Sequence, residues 1–444
     1  MSTYTKEDIL RICEEEDVEF IRLQFTDMFG SLKNMAITKS QLSRALDNSV
    51  MFDGSAIDGF VGVDESDMVL HPNCDTFAIL PWRPQRGKVG RMYCDIYRPD
   101  GTPFMGDSRQ VLKKVIEEAK SLGYSFQVGP ECEFFLFDTD ENGAPTVSTK
   151  EQAGYFDVGP LDSGENARRD IVMNMEEMGY VVDASHHEKT CGQHEVDLEY
   201  DDALRTADKI MTFKLVTRTI AKRHGLHATF MPKPNENVNG SAMHINMSLS
   251  KDGRNIFRDD SDKNGLSDEA YYFLGGILKH IKAIAAVSNP LVNSYKRLVP
   301  GFDAPVYIAW STTNRSALVR IPSVRNAEHT RIELRSADSC ANPYLLLALL
   351  LGAGLEGIRN KILPPESVSG NIFDMTDEAR KKAGIDRLPG NLMEALEELK
   401  KDELIMGILG EHVGSRYITA KQDEWTRYLN HVTRWELTEY LNKY

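Results

Sequence analysis

Residues 129–137 read GPECEFFLF, and this run constrains the fold more than any other segment. Side chains alternate between the two faces of a strand, so Glu131 and Glu133 share one face while Cys132, Phe134 and Leu136 share the other. The apolar set demands a core behind it. Two carboxylates side by side repel one another unless a cation or a proton lies between them. The chain must therefore either line a cation site with a sheet face or leave an acidic edge strand in water, and this run alone leaves both open.

The same period of two recurs. In residues 244–249 His244, Asn246 and Ser248 share one face and Ile245, Met247 and Leu249 the other. The turn before them, Asn239-Gly240-Ser241, leaves backbone N–H groups free for an anion. In residues 330–335 (TRIELR) the polar face carries Arg331, Glu333 and Arg335, with Ile332 and Leu334 behind. Such a face suits a ladder of cross-strand salt bridges. It equally suits a carboxylate on a metal flanked by guanidiniums that bind phosphate bidentately. Glu188 and Glu195 stand on either side of a turn containing Gly192, where a hairpin would bring them together. A Pro- and Gly-punctuated loop at 293–305 has the character of a lid, and Arg315 and Arg320 follow it.

Five glutamates and one histidine offer hard donors with no thiolate pattern, which favours Mg²⁺ or Mn²⁺ over Zn²⁺. Magnesium with several arginines is equipment for phosphoryl transfer. Neither GxxxxGK[ST] nor GxGxxG occurs, so any ATP is held by another kind of fold. The six cysteines are scattered without a CxxC pair, which suggests neither a zinc site nor a disulfide framework.

At 444 residues the chain is too long for one ordinary core. The first hundred residues read as short strands, at 19–25, 76–80 and 90–96, with a helix at 39–46. A Pro/Gly/Asp-rich linker at 97–109 follows, and we divide the chain into 1–100 and 101–444. Beyond it, helices are expected at 110–122 (capped by Asp107 or Ser108), 166–178, 207–224, 270–287, 343–360, 391–401 and from 420 onward. Interleaved strands at 131–137, 244–249 and 330–336 make this an α+β domain rather than a doubly wound one. With 67 acidic against 52 basic residues and a net charge of -15, the chain lacks the basic stripe of a nucleic-acid binder. No apolar run approaches the roughly 20 residues that span a bilayer. The amino terminus has no secretory-signal pattern, so the expected location is cytoplasmic.

Taken in order, MFDGS (51–55), GPECEFFLF (129–137), ENARRD (165–170), SHHE (185–188), GQHEVD (192–197), HGLHATFMPKP (224–234), NGSAMH (239–244), NSYKRLVPGFDAP (293–305), NRSALVRIP (314–322), TRIELR (330–335) and ANPY (341–344) resemble the class I glutamine synthetases along essentially the whole chain. The resemblance implies a small β-grasp domain before the α+β catalytic domain. It also implies a homo-oligomer, a dodecamer of two hexameric rings with active sites between neighbouring subunits. It assigns one metal to Glu133, Glu188 and Glu195 and another to Glu131, His244 and Glu333. It puts glutamate against Asn239, Gly240 and Arg297, with Arg335 near the reacting carboxylate. ATP falls to Asn246 and Ser248, with Arg315 and Arg320 on its phosphates and Asp183 at a nucleotide-contacting position usually Glu. Asp53, from the adjacent subunit, would take the proton from ammonium.

Four departures stand out. The lid acid is Asp303 rather than the family's usual Glu, and Cys132 replaces the usual Pro between the two metal glutamates, pointing away from them. Gly62 stands where the Gram-positive branch commonly has the Arg that relays glutamine feedback. Phe373 matches the position of the tyrosine modified in the adenylylated branch, so this chain resembles the shorter, unadenylylated one. A related ligase joining glutamate to a polyamine or another amine is the rival within this class. A metal-dependent hydrolase is the rival from the residues alone.

Overall fold

The computed structural model describes residues 4–324 and 326–444; of the amino terminus read above, residues 1–3 lie outside the described set. Two sheets organise the chain. In the first, the strands run in the order Leu32–Thr38, Val18–Thr26, Lys88–Tyr97, Asp67–Pro72, Val50–Asp53. Val18–Thr26 and Lys88–Tyr97 pair in parallel, and the helix Lys6–Glu15 buries Ile9 and Cys13 against the sheet's own core of Val18, Ile21, Leu23 and Met92.

The second sheet carries the chemistry. Its order is Trp310–Ser311, Val319–Arg320, Ile332–Leu334, Met243–Lys251, Ser125–Asp138, Gln193–Leu198, Val182–His187. Every neighbouring pair along this path is antiparallel except the first. One face is apolar: Cys132, Phe134, Val196, Met243, Ile245, Met247, Ile332 and Leu334 are all buried, and they belong to one core with residues of the helices Ala203–Arg223, Asp268–Ser288 and Pro343–Asn360. A mostly antiparallel sheet with helices gathered against it is an α+β arrangement.

The expected helices form at Ser108–Ser121, Glu165–Glu177, Ala203–Arg223, Asp268–Ser288, Pro343–Asn360 and Leu392–Lys401. Asp107 is the cap of the first, accepting from the Arg109 amide at 2.9 Å. The helix expected from residue 420 begins far earlier, as Glu403–Leu429, with a break in helical geometry at Gly410 (φ 74°). The strand expected at 76–80 shrinks to Ala78–Ile79 after a 3₁₀ turn, and the helix expected at 39–46 opens as a 3₁₀ turn before Leu42–Leu46.

Buried polar ties join the two sheets' domains. Arg109 donates to Asp95 on the first sheet and to Asp208 on Ala203–Arg223, Nη2 to Oδ2 at 3.0 Å. Asn342 caps Pro343–Asn360 and gives its amide to the Asp27 carbonyl at 3.0 Å. Removing either partner would strand a buried charge or amide, which fixes how the domains sit together.

Candidate active site

Strand register assembles the polar face. Residues directly opposite in an antiparallel pair share a face. Glu133 lies opposite Glu195; Glu131 lies opposite Asp197 on one side and His244 on the other; Asn246 lies opposite Glu333, which in turn faces Arg320. Four separate period-2 patterns are thereby laid edge to edge. The hairpin turn that returns Gln193–Leu198 beside Glu133 passes through Gly192 at φ 77°, where an added Cβ would also sit 2.9 Å from the Leu136 carbonyl. Only glycine makes that turn without strain.

The polar face floors a cavity of about 640 Å³ lined by Glu131, Glu133, Glu188, Glu195 and His244, with Arg315, Arg320 and Arg335, and with Asn239, Gly240 and Asp303 at the loops. Beside it lies a second cavity of about 590 Å³, lined by Asp183, Tyr200, Asn246 and Arg331, which shares Glu131 and Asp197 with the first. Gly240 is required where it stands, since a Cβ there would come within 2.1 Å of the Pro232 carbonyl.

Within the face the carboxylates divide by partner. Burial pushes Glu131 up, but the His244 imidazole at 2.8 Å and the Asn246 amide at 2.9 Å hold it down to about 2. Glu195 meets only the longer His186 contact at 3.2 Å, and burial, then Glu133 and Asp197, push it up to about 12. Glu188 rises to about 7 through burial and Glu133, and Asp197 to about 7 through burial and Glu131. Burial first, and then the neighbouring carboxylates, favour the neutral forms of Glu188, Glu195 and Asp197, a penalty that a bound cation would relieve. Donor atoms of Glu131, Glu195 and His244 lie within 4.8 Å of one another, and so do those of His186, Glu188 and Glu195. These oxygen-rich sets fit hard divalent cations. Glu333 is held between Arg320 and Arg335, the latter at 2.5 Å, so the salt-bridge reading of residues 330–335 is realised in part. Arg335 Nε is buried and makes no hydrogen bond among the described residues.

A third cluster, Glu151, Asp162, His187 and His194, also brings its donor atoms together but already contains a cation. Arg168 Nη1 donates to Asp162 at 2.7 Å and to His194 Nδ1 at 2.8 Å. A guanidinium only donates, so Nδ1 accepts and the His194 proton sits on Nε2. His187 Nε2 meets Glu151 at 2.7 Å and its Nδ1 meets the Glu188 carbonyl at 2.6 Å. Both partners only accept, which favours the imidazolium form of His187: burial lowers its pKa, but the Glu151 hydrogen bond and charge together with the Glu188 carbonyl raise it by more. Two cations thus balance two carboxylates behind the hairpin that bears Glu188 and Glu195, and the cluster is a brace rather than a further metal site.

Two family models match. Residues 17–99 match the beta-Grasp domain of glutamine synthetase and residues 105–440 its catalytic domain. The chain belongs to the glutamine synthetase family. It is 61% identical to a glutamine synthetase of Clostridium saccharobutylicum over 444 residues, 100% of both chains, and 53% identical to one of Staphylococcus aureus (strain Mu50 / ATCC 700699), covering 100% of this chain and 99% of that one. Among solved structures, a GmaS/ADP complex superposes with a TM-score of 0.88 at 32% identity, covering 98% of this chain and 99% of that one. A Plasmodium falciparum glutamine synthetase superposes at 0.88 and 26%, covering 99% of each.

Of the residues expected from the glutamine synthetase resemblance, most line one of the two cavities; Glu333 is fully buried behind Arg320 and Arg335, Ser248 lines neither cavity, the close donor sets mix the two expected ligand groups, and Asp53 lies apart. That residue is exposed on the first sheet, where its Oδ1 accepts from the Ser55 amide and hydroxyl at 2.8 and 2.6 Å. Ser248 is buried beside the second cavity and accepts from Tyr200 at 3.2 Å. Arg297 lines the first cavity and is only 3% exposed; its guanidinium also donates to the carbonyls of Ser336 (2.8 Å) and Arg335 (3.1 Å). Sequence reasoning assigned no role to His186, Gln193 or Lys189. His186 Nε2 stands 3.2 Å from Glu195, and Gln193 donates to Glu133 at 2.9 Å. Both follow from the period of two, since Gln193 shares a face with Glu195. Lys189 lies in a turn, where no period marks it.

Proposed function

We propose that the chain is a glutamate–ammonia ligase that forms L-glutamine, ADP and phosphate from L-glutamate, ammonium and ATP through γ-glutamyl phosphate. The observation that carries this reading is the register of the second sheet. It sets Glu131, Glu133, Glu195, His244 and Glu333 on one face, with Arg315, Arg320 and Arg335 lining the cavity that face floors. Glu133, Glu188 and Glu195 would hold one divalent cation and Glu131, His244 and Glu333 another, Mg²⁺ or Mn²⁺. When bound, these supply charge neutralisation at the phosphate oxygens.

The residues of the chain do the rest. ATP occupies the second cavity, by Asp183, Asn246 and Ser248, with its γ-phosphate towards the shared wall at Glu131. Glutamate lies at Asn239, Gly240 and Arg297, the last of which also holds the backbone of residues 335–337 that carries Arg335. Arg315, Arg320 and Arg335 take up negative charge as the γ-carboxylate oxygen attacks phosphorus and ADP leaves. The carboxylate oxygen thereby becomes part of a phosphate leaving group. Ammonium has no lone pair, so Asp53 of a neighbouring subunit binds it and accepts a proton. Ammonia then attacks the acyl carbon and expels phosphate. The loop bearing Asp303 closes over the intermediate, which water would otherwise hydrolyse.

The full proposal includes a cytoplasmic dodecamer of two hexameric rings, which would bring Asp53 to its neighbour's cavity. No helix among the described residues is long and apolar enough to cross a membrane. Ammonia is favoured over a larger amine because Asp53 and Asp303 are short acids suited to a small cation. The test is glutamine formation by the purified protein, dependent on ATP, Mg²⁺ and ammonia, and abolished in Glu333→Ala. Product formed from putrescine but not from ammonia would favour the polyamine ligase, and no phosphate release with glutamate and ammonia would end the reading.

A further inference from the structure

Asp303, the lid acid of that reading, sits in a left-handed backbone conformation (φ 54°), uncommon outside glycine, so something other than local preference must hold it there. Two donors reach it, and both land on the same oxygen. Lys189 Nζ donates to Oδ2 at 2.7 Å and Asn239 Nδ2 donates to Oδ2 at 2.9 Å. Among the described residues no hydrogen bond to Oδ1 is formed. Lys189 is also the residue after Glu188, and its backbone N–H donates to Glu188 Oε2 at 3.0 Å. One residue therefore touches an acidic side chain of the metal face with its backbone and the lid acid with its side chain. The neighbouring lid residue is tied as well: Lys233 Nζ lies 3.6 Å over the Phe302 ring.

We propose that Lys189 is a positioning residue that latches the lid, holding Asp303 by Oδ2 at the mouth of the cavity so that Oδ1 stays open to the ammonium ion. This rests on the ligase reading for its chemistry but not for its geometry. The aspartate is one methylene shorter than the glutamate usual at this place, and the four-carbon stem of Lys189 spans the distance that the shorter acid leaves. The bridge is also suitably weak. Its side chains are 55% and 60% exposed, and an exposed ion pair contributes little. A lid must open in every turnover, so a tight buried pair would slow product release.

Two measurements on the full-length protein test the latch, one of them independent of activity. Amide hydrogen exchange of residues 299–305 without substrates should speed up by roughly two- to five-fold in Lys189→Met and stay at the wild-type rate in Lys189→Arg, the range of an exposed ion pair. In the glutamine-forming assay, Lys189→Met should raise the ammonium KM by a similar factor with kcat held, and Lys189→Arg should restore it. Lid exchange that is the same in Lys189→Met and wild type overturns the latch. So does a fall in kcat with the ammonium KM unchanged, the mark of a merely structural lysine. Wild type that makes no glutamine while the lid exchange still responds to Lys189→Met would overturn the ligase reading and leave the latch standing.

Discussion

Glu133 and Asp303 bring carboxylates to one cavity and are held there in opposite ways. Glu133 projects from the middle of a 14-residue strand, and its Oε2 accepts from Gln193 at 2.9 Å and from the Ala242 amide at 2.8 Å, both buried. Asp303 hangs on a loop, exposed, bonded through one oxygen to side chains from two other loops. The first is placed by backbone pairing that also builds the domain; moving it means breaking a sheet. The second is placed by two side-chain bonds that water can replace. A site that must fix charge on one side and open on the other needs both kinds of support.

The contrast breaks first if the sheet face tolerates change. Glu133→Ala should lower glutamine formation by about a thousandfold or more, the cost of roughly 4 kcal/mol in transition-state stabilisation, with the fold retained by circular dichroism. Activity within tenfold of wild type would mean that the face is scaffolding. Next in size is the brace. Glu151 is buried, and although burial pushes it up, the His187 hydrogen bond and the His194 and Gly192 contacts hold it down to about 2. Glu151→Ala leaves the His187 imidazolium buried without a counter-charge, a loss of about 3–5 kcal/mol. Denaturant unfolding should show it, together with weaker Mg²⁺ binding through the displaced Glu188. A loss below about 1 kcal/mol would place the brace with the exposed pairs.

The pH dependence separates the two supports more finely. Without a cation, Glu188 titrates at about 7 against an ordinary value of 4.5, because burial and Glu133 favour its neutral form. Its contribution to stability is then fully present below about 4.5 and is lost as the pH rises through about 7. Divalent cations bind the ionised form, so the stabilisation conferred by Mg²⁺ should grow between about pH 6 and 8, with protons released on binding. Thermal unfolding with and without Mg²⁺ across that range measures it. Asp303 is held below its ordinary value: burial pushes it up, and Lys189 and Asn239 outweigh that. It should therefore stay ionised throughout the same range and add nothing to the slope. A Mg²⁺ increment independent of pH would show that the carboxylates of the face do not compete with protons.

How much could be read in advance follows the same division. Glu131, Glu133, His244, Asn246 and Glu333 were legible because each sits on a strand whose apolar alternate residues needed a core; Arg335 shares that pattern but lies just past the strand Ile332–Leu334, which is shorter than the expected 330–336. The pairing that lays those strands side by side was not legible from spacing, since register depends on contacts between segments more than a hundred residues apart, such as His244 with Glu131. Arg297 was expected to meet substrate; it lines the cavity, and in addition part of its guanidinium holds carbonyls just past the strand Ile332–Leu334, a demand that only folded backbone creates. Lys189 was invisible for the opposite reason: a turn imposes no period, so nothing in the sequence tied it to residue 303. The early start of Glu403–Leu429 was missed because Gly410 interrupts the helical pattern there.

The smallest expected effect is the most specific. Asp303→Glu adds one methylene, about 1.5 Å of reach. The longer acid would overrun the position where Lys189 and Asn239 now meet Oδ2, and glutamate adopts the left-handed backbone less readily than aspartate. Both effects loosen the latch without touching the metal face. We therefore expect kcat to be retained and the ammonium KM to shift by about threefold or less, with some ATP hydrolysed without glutamine formed. The variant combined with Lys189→Met should show less than the sum of the two effects, since both act on one contact. Unchanged ammonium affinity and unchanged coupling of ATP to glutamine in Asp303→Glu would mean that the loop closes by shape alone. The carboxylate on the lid would then matter no more than its backbone, and the division of the site into a fixed face and a latched one would fail at this residue.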